Sequence, residues 1–102
     1  MDYAVITEWN DSDYTEVALF PTEEKAREYV KFRYGVLTKN EMKSQAEYPE
    51  DERTFRPDKC YLDPDGNWGQ MVWDPSWSGA DPEDYTTMTI KVVGVTMADW
   101  EE

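Results

Sequence analysis

Two short apolar runs open the chain. Residues 3–9, YAVITEW, and 14–20, YTEVALF, are rich in β-branched and aromatic residues, and the polar tetrad Asn10-Asp11-Ser12-Asp13 separates them. That arrangement predicts a β-hairpin closed by a four-residue loop. Phe20-Pro21-Thr22 then leads into a helix, with Thr22 as its cap. Glu23 and Glu24 fall in the first turn, where carboxylates suit the positive end of the helix dipole. Ala26, Tyr29, Val30, Arg33 and Tyr34 recur at spacings of three and four, so one stripe can lie on a sheet, and Gly35 reads as the stop.

Further on, Thr38-Lys39-Asn40-Glu41 fits a capping box, which predicts a short second helix over about 39–47 with Met42 and Ala46 facing inward. Residues 48–57, YPEDERTFRP, carry two prolines and mixed charge and read as a loop. Strands at about 58–62 and 68–73 flank Asp63-Pro64-Asp65-Gly66-Asn67, so residues 58–73 form a second predicted hairpin. In its tip Pro64 suits the first central position, Gly66 takes a positive φ, and Asp63 and Asp65 project into solvent. Asp74 and the acidic stretch after it are expected at the opposite end of the sheet. The long β-branched run 86–96, TTMTIKVVGVT, predicts a central strand, bulged at Gly94. Strands joined by hairpin-length loops, without βαβ alternation, give an α+β fold. The expected architecture is an antiparallel sheet of about five strands with one main helix on one face and a short second helix.

Composition adds that this is one folded domain, residues 1–102. Apolar residues make up 39% of the chain, and five Trp, seven Tyr and three Phe supply much of the buriable area. Disordered acidic segments lack such aromatics. No stretch approaches the roughly 20 apolar residues of a membrane span. The start, MDYAVITEWND, has no basic region of the kind a signal peptide needs, and the lone Cys60 cannot form an internal disulfide. A cytoplasmic protein is expected.

Charge changes the picture most. The chain carries −13, beyond the magnitude of about 2–8 that suits a soluble small domain. Residues 1–24 hold seven acids and no base, 25–59 seven acids and nine bases, and 60–102 nine acids with Lys91 as the only base. The acidity belongs to the two ends of the chain. Binding to nucleic acid is therefore opposed, because that affinity comes largely from Lys and Arg neutralising phosphates. The reverse case remains: acids on loops and strand ends can present themselves to a basic groove, and opposite potentials speed the encounter. Acidity serving only solubility is the blander alternative.

Catalytic residue types are scarce. No histidine is present, which removes the usual neutral-pH base, the Ser-His-Asp and Cys-His arrangements and most zinc sites. Cys60 reads as a small core residue. The five glycines form neither a phosphate loop nor a dinucleotide fingerprint. With so many acids some carboxylate pair is always close, so paired carboxylates mean little for glycoside hydrolysis. Asp63-Pro64-Asp65-Gly66-Asn67 imitates the middle of an EF-hand loop, but Tyr61 stands where the first Asp ligand belongs and Val72 where the closing Glu belongs. A Pro-Asp-Gly turn explains it better, and neither metal nor cofactor is expected. Trp68 and Trp73, five apart, point to opposite faces of a regular strand, one core and one exposed. Trp77 reads as a loop anchor or a partner hot spot.

In size, charge and aromatic content over its whole length, the chain resembles the small acidic proteins with which phages and mobile elements block host defences. Anti-CRISPR and anti-restriction proteins of the nucleic-acid-mimic kind are examples. The stretch FPTEEKAREYVKFRYG, a strand end feeding a Glu-rich helix, is also similar to many short phage reading frames. The resemblance implies a non-enzymatic inhibitor that occupies a basic nucleic-acid-binding surface of a host nuclease. It transfers no residue role, since these families share no motif. From the sequence itself the candidate contacts are Asp11, Asp13 and Glu16 of the first hairpin, Asp63 and Asp65 of the turn, and Asp74, Trp77, Asp81, Glu83 and Asp84 beyond it. The alternatives are a small interaction domain that uses exposed aromatics and, less favoured, a metal-responsive loop around Asp63 and Asp65.

Overall fold

A computed structural model describes residues 2–74 and 85–95. Strands β1 (Asp2–Trp9) and β2 (Thr15–Phe20) form the first hairpin, and α1 (Glu23–Gln45) follows. Two 3-10 turns, Glu50–Glu52 and Pro57–Lys59, precede β3 (Tyr61–Leu62), β4 (Trp68–Trp73) and β5 (Thr86–Val95). The five strands make one antiparallel sheet in the order β2-β1-β5-β4-β3. The α+β arrangement read from the sequence is therefore the fold, and β5 is its central strand.

Helix α1 covers one face of the sheet. Thr22 caps it by accepting from the Lys25 amide, 3.2 Å away. Ala26, Val30 and Tyr34 point at Val5, Met71, Met88 and Ile90, and together with Phe55 they form the core. Fully burying a side chain such as Val30 or Ile90 contributes roughly 1.5–3 kcal/mol. Phe20 and Tyr29 extend this layer with ring centroids 4.9 Å apart. Gly69 lets the helix approach closely, because a β-carbon there would lie 2.9 Å from the Tyr34 ring.

The helix does not stop at Gly35, and no second helix follows it. One 23-residue helix runs through both predicted pieces. Thr38, read as a cap, instead turns its hydroxyl back onto the Tyr34 carbonyl at 2.8 Å. Tertiary anchors outweigh the glycine. Leu37 packs on the core, and Glu41 accepts from the Trp73 indole N–H at 2.9 Å. Gln45 Oε1 accepts from the Thr54 amide at 2.9 Å. Met42 and Ala46, expected to face inward, are exposed, since the stripe that meets the sheet passes through Leu37, Glu41 and Gln45.

Two further expectations change. The strand expected over 58–62 shrinks to Tyr61–Leu62, because Pro57–Lys59 winds into a 3-10 turn. The stretch before it pairs with the upper half of β4, through a Phe55–Trp73 bridge and an Arg56 N–H donated to the Val72 carbonyl at 2.9 Å. Gly94 carries no bulge; it faces Tyr3 in an unbroken register. Trp73 and Trp68 do lie on opposite faces, Trp73 half-buried under the helix and Trp68 exposed.

Candidate functional site

The antiparallel registers decide which acids share an end of the sheet. Trp9 pairs with Met88 and Thr86 pairs with Trp73, so the β1–β2 loop, the end of β4 and the start of β5 meet at one end. Asn10 holds them together. Its side chain donates to the Tyr85 carbonyl at 3.0 Å and accepts from the Thr87 amide at 2.9 Å. Asp11 and Asp13 are exposed beside this clasp. A groove of about 310 Å³ at the same end is lined by Asp11, Glu41, Thr54, Trp73 and Thr86.

Asp74 and Tyr85 mark where the chain leaves and re-enters this end. Asp74 is buried, with Arg56 Nε and Lys59 Nζ each 3.9 Å from its carboxylate. Its charge is thus largely answered within the chain, and it is a structural anchor, not the solvent-facing acid the sequence suggested. Lys59 also donates to the Tyr85 hydroxyl at 3.0 Å, a bond that raises the lysine pKa. Trp77, Asp81, Glu83 and Asp84 lie outside the described residues.

The turn between β3 and β4 is at the opposite end, as expected relative to Asp74. Gly66 has φ +84° and its amide donates to the Asp63 carbonyl at 2.9 Å. Of its two aspartates Asp65 is exposed and Asp63 is not. The Asp63 carboxylate turns inward and accepts from both the backbone and side-chain N–H groups of Asn67, at 3.0 and 2.9 Å. Asn67 in turn accepts from Arg27 Nε at 2.8 Å, fastening the turn to α1. Asp63 is therefore a turn-forming residue. Among the described residues no group of three or more His, Cys, Asp or Glu side chains converges on a possible metal position.

Glu16 is likewise committed internally. It points to the helix side of β2, where both its oxygens lie 3.2 Å from Arg33 Nη2. Of the candidate acids within the described residues, Asp11, Asp13 and Asp65 remain exposed, the first two at one end of the sheet and the third at the other.

Cys60 and Tyr34 show no sign of activation. Burial pushes the Tyr34 phenol up to about 12, with the nearby Cys60 thiol adding to the shift. Burial also raises Cys60, which donates to the Arg56 carbonyl at 3.2 Å. Both groups are held in their neutral forms, as core residues are.

The sheet face that α1 leaves open was not foreseen from the sequence. There Val17, Ile6, Lys91 and Trp68 stand in one row across four strands, and Leu19, Ala4 and Val93 in the next. Leu19 is 64% exposed, Val17 61% and Trp68 44%. Tyr61 lies beside Trp68, with ring centroids 4.9 Å apart. A sign of this face was available in the runs Ala4-Val5-Ile6 and Val17-Ala18-Leu19-Phe20, which are apolar at both parities and so place apolar groups on both faces of the sheet.

Comparison with known proteins gives no match to a family model, a curated protein or a solved structure. No helix among the described residues is long and apolar enough to cross a membrane.

Proposed function

We propose that this chain is a non-enzymatic binding protein that occupies a basic, nucleic-acid-binding surface of a host defence nuclease. The observation that carries the reading is the exposed Asp11–Asp13 tip, held by Asn10 against Tyr85 at the end where the acidic segment after Asp74 begins and finishes. A net charge of −13 adds long-range attraction for such a surface. Four of the nine bases of residues 25–59 are paired inside the chain, with Glu23, Glu16 and Asp74.

A second reading has its own observation. The exposed Trp68–Tyr61 pair beside Val17 and Leu19 fits an interaction domain whose contacts are apolar. Cleavage assays separate the two. Adding the protein to DNA cleavage by a CRISPR effector or a restriction endonuclease should protect the DNA, less so at raised salt and less so for the Asp11→Asn/Asp13→Asn variant. Protection that is insensitive to salt and lost on Trp68→Ala would favour the apolar reading. DNA cut at the uninhibited rate by every effector tried would sink the first.

A further inference from the structure

The outer edge of β2 is the one long sheet edge left open among the described residues. At the other side of the sheet β3 is only two residues long, and the 54–56 stretch covers the rest of β4. β2 pairs with β1 along one edge, and among the described residues no other strand meets its second edge. Natural edges are usually blunted by charge, proline or a bulge. Here the six residues Thr15–Phe20 contain no proline or glycine, and the only charged side chain, Glu16, is paired with Arg33 on the helix side. Val17 and Leu19 stand exposed on the open face, two residues apart, as a pairing strand would meet them.

Charge selects the occupant. Before β2 lie the exposed Asp11 and Asp13; after it lies the exposed Glu24, while Glu23 is paired with Arg27. A second copy pairing antiparallel with β2 would set each acidic end against the other copy's, three of these carboxylates at both ends. An incoming strand with basic ends meets attraction at both. Resting on the reading of a basic partner, we propose that β2 takes an extended segment of that partner as a sixth strand. Apolar residues at alternate positions of the segment cover Val17 and Leu19, and Lys or Arg flanking them reach Asp11, Asp13 and Glu24. Backbone pairing would supply affinity, and alternate side chains specificity.

The test uses the full chain and three synthetic peptides. One alternates Val or Ile with Thr between paired Lys and Arg ends; a second is identical but N-methylated at alternate amides; a third scrambles the order. The first should bind in the micromolar to millimolar range and slow hydrogen exchange at β2 amides that do not bond β1. N-methylation, which removes two or three backbone bonds, should weaken it about ten- to hundredfold. Val17→Thr/Leu19→Thr, which trims the exposed apolar groups without adding charge, should weaken the first peptide while moving the unfolding midpoint little. Equal, salt-sensitive binding of all three peptides would overturn strand addition and leave the basic-partner reading standing. No binding of any of them at low salt would remove that premise as well. Protection of β2 that appears with protein concentration alone would assign the edge to a second copy and overturn the proposal.

Discussion

Gly66→Val should be among the most damaging single changes in the described part of the chain, for two separable reasons. The residue sits at φ +84°, where a side chain with a β-carbon costs about 1–2 kcal/mol. The β-carbon would also lie 2.6 Å from the Arg27 carbonyl oxygen and 3.1 Å from Lys31 Cε. The lysine end can swing away. The carbonyl belongs to the backbone of α1 and cannot, so overpacking adds about 1–3 kcal/mol. Together these give about 2–5 kcal/mol against a total stability of the order of 5–15 kcal/mol for a domain. Urea unfolding followed by Trp fluorescence should show the midpoint falling by roughly 1–2.5 M, at a slope of about 2 kcal/mol/M. Gly66→Asn relieves the torsional cost and keeps the contact, so it should fall between wild type and Val. Asp65→Asn, an exposed change, should stay within about 0.5 kcal/mol. A Gly66→Val protein unfolding at the wild-type midpoint would mean that the turn does not dock on the helix at Arg27.

Other outcomes follow from the same geometry. Gly35 is an exposed residue inside α1, and a β-carbon added there would meet nothing within 4 Å. Gly35→Ala should therefore stabilise by about 0.5–1 kcal/mol in thermal unfolding; a loss of stability would mean that the helix breaks there after all. The Tyr34 phenol, raised by burial from 10.0 to about 12, stabilises the fold fully below pH 10 and loses that contribution as pH climbs to about 12, because the unfolded phenol ionises first. That difference corresponds to roughly 3 kcal/mol. Melting temperatures should fall over this window, and Tyr34→Phe should flatten the decline.

Much of the fold was legible because its cues are local. The β-branched runs at 3–9, 14–20 and 86–96, the Thr22 cap and the Pro64–Gly66 turn each act within a few residues of themselves. The errors came where distant contacts decide. Gly35 and Thr38 carry the local marks of a helix end and start, yet Glu41 meets Trp73 and Gln45 meets Thr54, and these bonds keep the helix going. Pro57–Lys59 winds up where a strand was expected, while the nearby Phe55 pairs beside Trp73. The candidate acids divided in the same way. Sequence shows that an acid is present; only packing shows that Glu16 faces Arg33, Asp63 caps Asn67 and Asp74 is buried by Arg56 and Lys59. Asp11, Asp13 and Asp65 are exposed, each in a short polar loop between two strands.

If loop acids compete with nucleic acid for one basic surface, a competition titration will show it. An inhibited effector is held at fixed concentration with this protein bound, duplex DNA is added, and the bound fraction is read by fluorescence anisotropy at several salt concentrations. Protein and DNA should exclude one another, with the protein's apparent Kd rising steadily as salt rises and Asp11→Asn/Asp13→Asn weakening binding most at low salt. DNA and this protein bound to the effector together, with an affinity indifferent to salt, would contradict it.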